Sequence, residues 1–140
     1  MIPRYAVSTG STATRDERGG VAFAGYAAVF DVVDRAGDVM RRGAFGDPGA
    51  VPLLWGHRGG AVGRIEAIGE DARGLRIAGV VEDEALGALV RAGAVAGLSV
   101  GYRPVAVRQG ARRELLEVAL AEVSLVAVPM QALARIDAVF

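Results

Sequence analysis

The sequence of 140 residues contains no cysteine, no lysine, one histidine and one tryptophan. Without cysteine there is no disulfide framework, no thiol nucleophile and no cysteine-based zinc site, so secretion finds no support and a reducing compartment is compatible. Without lysine neither a GxxxxGK phosphate loop nor a Schiff base can form. A single histidine with no cysteine also argues against a zinc centre, and the expectation is no metal and no cofactor. No run of 18 uninterrupted apolar residues occurs, and the first residues, MIPRYAVSTG, lack a hydrophobic signal core, so no membrane partner is expected. Sixteen arginines balance sixteen acidic residues. A net charge of zero argues against a nucleic-acid partner, whose phosphates would call for a basic face.

What remains is 52% apolar and rich in glycine, which suits one compact domain spanning residues 1–140. Residues 1–20 read as a short strand near Tyr5 and a mobile polar arm, STGSTATRDERGG, and residues 21–140 as the core of the domain. VAFAGYAAVF (Val21 to Phe30) and VPLLW (Val51 to Trp55) read as strands joined by a long charged connection. Strands around Val62 to Ile68 and Leu75 to Val81 flank the turn-forming EDARG and make a hairpin. A helix starts at the N-cap Asp83, sets Leu86, Leu89 and Val90 on one face, and stops near Gly93. Further strands are expected from Leu98 to Val107, from Leu115 to about Val128 and from Arg135 to Val139. Seven or eight strands with one or two helices point to an α+β, strand-dominated fold, a closed or nearly closed β-barrel ringed by a few helices.

The stretch GLSVG, Gly97 to Gly101, matches the GxSxG pattern of hydrolase nucleophiles. In a nucleophile elbow the serine follows a strand and opens a helix, and its partners follow in the order acid, histidine. Here a helix precedes Ser99, a strand follows it, and His57 lies upstream, so the α/β-hydrolase reading fails on order. In a glycine-rich chain the pattern by itself is equally a small residue where strands pack closely, and His57 by itself is equally a loop histidine bonded to backbone. Glu122 shifts the balance. In LLEVALAEVSLVAVP, alternate positions from Leu116 to Val128 share one face, apolar apart from Glu122 and Ser124. A carboxylate on an inward face is costly unless it is hydrogen-bonded or meets a cation, and holding a histidine is one reason to keep it there; an arginine partner or a bulged, exposed strand is another account.

GYAAVFDVVDRAGDVMRRGAF, VPLLWGHRGGAVGRI, LVRAGAVAGLSVGYRP and LAEVSLVAVPMQALARI, in that order, resemble the prohead (capsid maturation) serine protease family of tailed bacteriophages and gene transfer agents. The resemblance spans about Gly20 to Ile136. It implies an assemblin-like fold, a β-barrel ringed by helices, and a serine endopeptidase that cleaves the scaffold segment of the major capsid protein and itself. It also implies action in the bacterial cytoplasm, inside the assembling prohead, with self-association left open. Carried over by motif, the catalytic serine falls on Ser99, the histidine on His57 and the acid on Glu122; Asp38 is a weaker candidate for the acid. Arg58 stands where relatives carry an acidic residue, and Met130, Gln131 and Ala132 replace a Pro-Ala-Asn-Pro-like turn.

The resemblance implies an acyl-enzyme route, with Ser99 attacking, His57 as general base and Glu122 orienting the imidazole. Backbone N–H groups near Ser99, or Arg135, are candidates for the oxyanion. A non-catalytic, protease-like assembly or scaffold-binding factor is the alternative, and a lipase or esterase a weaker one.

Overall fold

The computed structural model describes residues 20–140; the strand near Tyr5 and the polar arm lie outside the described residues. Eight strands and one α-helix follow in the order β1 (Val21–Val29), β2 (Asp38–Met40), β3 (Pro52–Trp55), β4 (Arg58–Glu70), β5 (Gly74–Val81), α1 (Glu84–Arg91), β6 (Gly97–Gln109), β7 (Arg113–Val126) and β8 (Ile136–Val139). All the strands belong to one sheet, with β2-β7-β3-β4-β5-β1-β8 as its path and β6 paired to β7. An antiparallel bridge from Gly97 to Arg135 brings the start of β6 to the residues entering β8, so the sheet curls back toward its own beginning. The strand-dominated reading holds, and the eight strands and one helix of the described residues fall within the seven or eight strands and one or two helices expected.

β1 has buried residues in consecutive positions because it is covered on both faces. Phe23 enters the main core with Leu53, Ile77, Leu98 and Leu125, while Ala24 packs on the other side against Ala78. Each large apolar side chain so enclosed contributes about 1.5–3 kcal/mol by leaving water. α1 begins where the Asp83 carboxylate accepts the Leu86 N–H, and it ends before Gly93, whose φ is 79°. Leu86 and Val90 face the core, but Leu89 is exposed, so the apolar face is narrower than the spacing suggests. Among the described residues no helix is long and apolar enough to cross a membrane.

Two departures matter for the site. β4 begins at Arg58, well before the expected Val62, so Trp55 and Arg58 close a hairpin whose two-residue loop is Gly56 and His57. The strict alternation expected from Leu116 to Val128 does not hold either. Ala121 has no partner between the pairs Gly101↔Glu122 and Tyr102↔Leu120, and further register shifts follow toward the far end of the β6–β7 ladder. Each bulge resets which side chains face inward. Leu115 is buried and Leu116 exposed, and Val128 lies beyond the strand, 64% exposed.

Candidate active site

The central strand is β7. Along its length it pairs antiparallel with β6, and its last residues also pair in parallel with β3. Directly opposed residues of an antiparallel pair project to the same face. Ser99 lies opposite Ser124 and Gly101 opposite Glu122, so Ser99, Ser124 and Glu122 share one face at the same end of the ladder.

His57 reaches this face from the β3–β4 hairpin. Leu53, Leu54 and Trp55 pair with Val123, Ser124 and Leu125, and Gly56 N–H donates to the Leu125 carbonyl at 3.0 Å. The chain then reverses, with φ of 63° at Gly56 and 67° at His57. Positive φ at both loop positions is the mark of the tight turn that matches strand twist; glycine accepts it readily, whereas for histidine it is strained. The turn removes the His57 N–H from the ladder, and Ser124 Oγ accepts it at 2.9 Å. The His57 ring meets Glu122 across a 2.6 Å contact between Nδ1 and Oε2.

The other oxygen of the carboxylate, Glu122 Oε1, accepts the Ser124 hydroxyl at 2.7 Å. Glu122 thus holds two partners through two oxygens. Its side chain is only 12% exposed, while that of His57 is 41% exposed. Glu122 approaches from beside Gly101, where a β-carbon would stand 2.7 Å from Glu122 Cδ. The second glycine of GLSVG is therefore room for the acid. The first lies against the Val126 carbonyl and Pro129, where a side chain would collide with backbone.

Of the three residues singled out in the sequence, the structure joins His57 and Glu122 directly and puts Ser99 on their strand face, one cross-strand pair from Glu122. Among the described residues Ser99 Oγ makes no side-chain hydrogen bond, and Ser99 is buried. It borders a recess lined by Ala27, Ala28, Met40 and Met130, with Tyr102, Asp34 and Gln131 as further polar members. Burial, and then the charges of Asp34 and Asp38, push the Tyr102 phenol up, so it stays a neutral donor.

Asp38 takes no part in this arrangement. Both its oxygens are held by Arg113, at 3.0 and 2.9 Å, and this bonding keeps its carboxyl below the usual range. Asp38 pairs with Arg113 at the opposite end of β7 from Glu122 and meets neither His57 nor Glu122. Arg135 bridges Gly97 on the other side of β6, two residues from Ser99, and its side chain is exposed. The sequence pattern sets Ser124 beside Glu122 on one face but gives it no part; its bond to the His57 backbone depends on a turn that the pattern does not reveal. The available signal is the glycine in Trp-Gly-His-Arg between two apolar segments.

Among curated proteins no sequence matches. Solved structures of similar shape include the KSHV protease in complex with a hexapeptide phosphonate inhibitor (14% identity, TM-score 0.49, covering 80% of this chain and 61% of that one). Varicella-zoster virus protease is another (20% identity, TM-score 0.42, covering 74% and 63%). This chain thus spans about three fifths of the length of each. A family model described as caudovirus prohead serine protease matches residues 9–140.

Proposed function

The chain belongs to the caudovirus prohead serine protease family, and we propose that it is a serine endopeptidase of capsid maturation with Ser99, His57 and Glu122 as its catalytic residues. The observation that carries the assignment of residues is the 2.6 Å contact of His57 Nδ1 with Glu122 Oε2 on the strand face that also bears Ser99. A neutral imidazole with Nδ1–H donated to a carboxylate keeps its Nε2 lone pair free to accept a proton. Nε2 then takes the proton of Ser99 Oγ as this oxygen attacks the scissile carbonyl, and Glu122 stabilises the imidazolium that forms. The same proton goes to the leaving amine, and water repeats the sequence on the acyl-enzyme.

Ser124 is the competing hydroxyl, and its bonds argue against it as the nucleophile. It is fully buried, its oxygen accepts the His57 N–H, and its proton is donated to Glu122. For the oxyanion, the exposed Arg135, bridged through its backbone to Gly97, and the backbone N–H groups near Ser99 are the donors proposed, apart from the Leu98 N–H, which is given to the Ala134 carbonyl. The recess beside Ser99, walled by alanine and methionine, suits a small apolar side chain of the substrate.

The substrates proposed are the scaffold segment of the major capsid protein and the protease's own flanks, cut inside the assembling prohead. Co-expression with the major capsid protein encoded in the same genome tests this. The wild-type protein should shorten the capsid subunit by a discrete mass, and Ser99→Ala should leave it at full length. Equal shortening by both proteins, or by neither, would sink the proposal.

A further inference from the structure

Ser124 is placed to do more than fill space, and we infer that it is a positioning residue for the histidine–carboxylate pair, an inference that rests on the proteolytic reading above. Among the described residues its hydroxyl is the one group that hydrogen-bonds both members at once, accepting the His57 N–H at 2.9 Å and donating to Glu122 Oε1 at 2.7 Å. The two bonds are mutually dependent. A carboxylate only accepts, so the hydroxyl proton points to Glu122, and the oxygen lone pairs are left for the backbone of His57.

Each bond removes a freedom that the chemistry cannot tolerate. The bond to Oε1 stops the Glu122 carboxylate from rotating about its last torsion and carrying Oε2 away from Nδ1 at 2.6 Å. The bond to the His57 N–H pins a residue at φ 67°, a conformation that persists only where its surroundings hold it. Ser124 has no exposed surface, so in the folded protein neither bond is shared with solvent. The hydroxyl therefore sets both ends of the imidazole: the backbone from which the ring hangs and the acid that orients it.

The test combines kinetics with amide exchange on the full chain. The kinetic probe is a peptide spanning the junction that the wild-type protein cuts in its co-expressed capsid subunit. Ser124→Ala should lower kcat by about 10–100-fold, the usual cost of losing a group that orients a catalytic ligand, while KM stays within about twofold. In a Glu122→Gln background the same substitution should cost less than about threefold, because the two act as one unit. Ser124→Thr, which keeps the hydroxyl, should recover most of the rate.

Equal losses in both backgrounds, or a loss confined to KM, would show a merely structural role and overturn the inference. If the wild-type protein cuts nothing, the proteolytic reading fails by itself, and exchange decides the positioning. The His57 amide should be protected in the wild type and exchange at least tenfold faster in Ser124→Ala, with the Val100 and Val123 amides unchanged. An unchanged His57 amide would overturn the inference whatever the kinetics.

Discussion

Gly101 and Glu122 face each other across the β6–β7 ladder, and the carboxylate occupies the space that a side chain on Gly101 would take. Gly101→Ala should displace Glu122 from His57 while the ladder, whose backbone bonds it leaves intact, persists. A displacement near 1 Å at a catalytic group costs on the order of 100-fold in rate. Capsid-subunit cleavage should fall by about that factor with the circular dichroism spectrum unchanged, and wild-type cleavage by the variant would contradict the account.

Glu122→Gln preserves volume and removes the charge. With an amide opposite Nδ1 the imidazole loses both its preferred tautomer and the stabilisation of its protonated form, so the cleavage rate should drop by about 10⁴-fold. The buried amide still accepts from Ser124 through its oxygen, so the unfolding midpoint should move little. A small kinetic effect would move the acid's role elsewhere, and the arginine-bound Asp38 is poorly suited to it.

At Gly56 the space is open and only the backbone objects: nothing lies within 4 Å of where an alanine methyl would stand, yet φ is 63°. Gly56→Ala should cost about 1 kcal/mol of stability net, since left-handed strain of about 1–2 kcal/mol is partly offset by a less flexible unfolded chain. Urea titration measures the difference. A stability equal to wild type would mean that the hairpin does not hold the conformation described.

Glu114 supplies a pH signature. Arg108 and then Arg41, hydrogen-bonded to its carboxylate, bring its pKa down to about 2, against a usual value near 4.3. A carboxylate with a depressed folded pKa stabilises the protein above its unfolded pKa, and this contribution is lost as pH falls from about 4.3 toward 2. Glu114→Gln should therefore flatten the loss of stability across that interval and leave the catalytic pH profile unchanged, which acid titration followed by circular dichroism reads directly.

Most strands were legible because their apolar runs and turn residues are local signals: EDARG is the β4–β5 turn, and Asp83 caps α1 as expected. Glu122 was reached through an alternation that the structure breaks at Ala121, so the residue that meets His57 emerged from a face only partly real. Local reading fails there because a bulge depends on the partner strand. β2 was hidden for a related reason, since three residues pairing in parallel with distant Arg113 to Leu115 leave no periodic mark. The site's defining contact, His57 to Glu122, joins residues 65 apart in sequence, and the residue order that excluded an elbow gave no distances.

The carboxylate and the neighbour of Ser99 lie on one strand, and the histidine hangs from another that aligns to the same three residues, Val123 to Leu125. Length changes in the chain are therefore not equivalent. Residues added at the far hairpin tip around Gly110 would extend an arm and leave the opposing pairs at Ser99 and Glu122 in place. One residue inserted between Ser99 and Gly101 would turn the glycine to the opposite side and put a side chain where the acid must lie. Variation in size among such proteins should accordingly be tolerated at the tip and refused within a few positions of GLSVG.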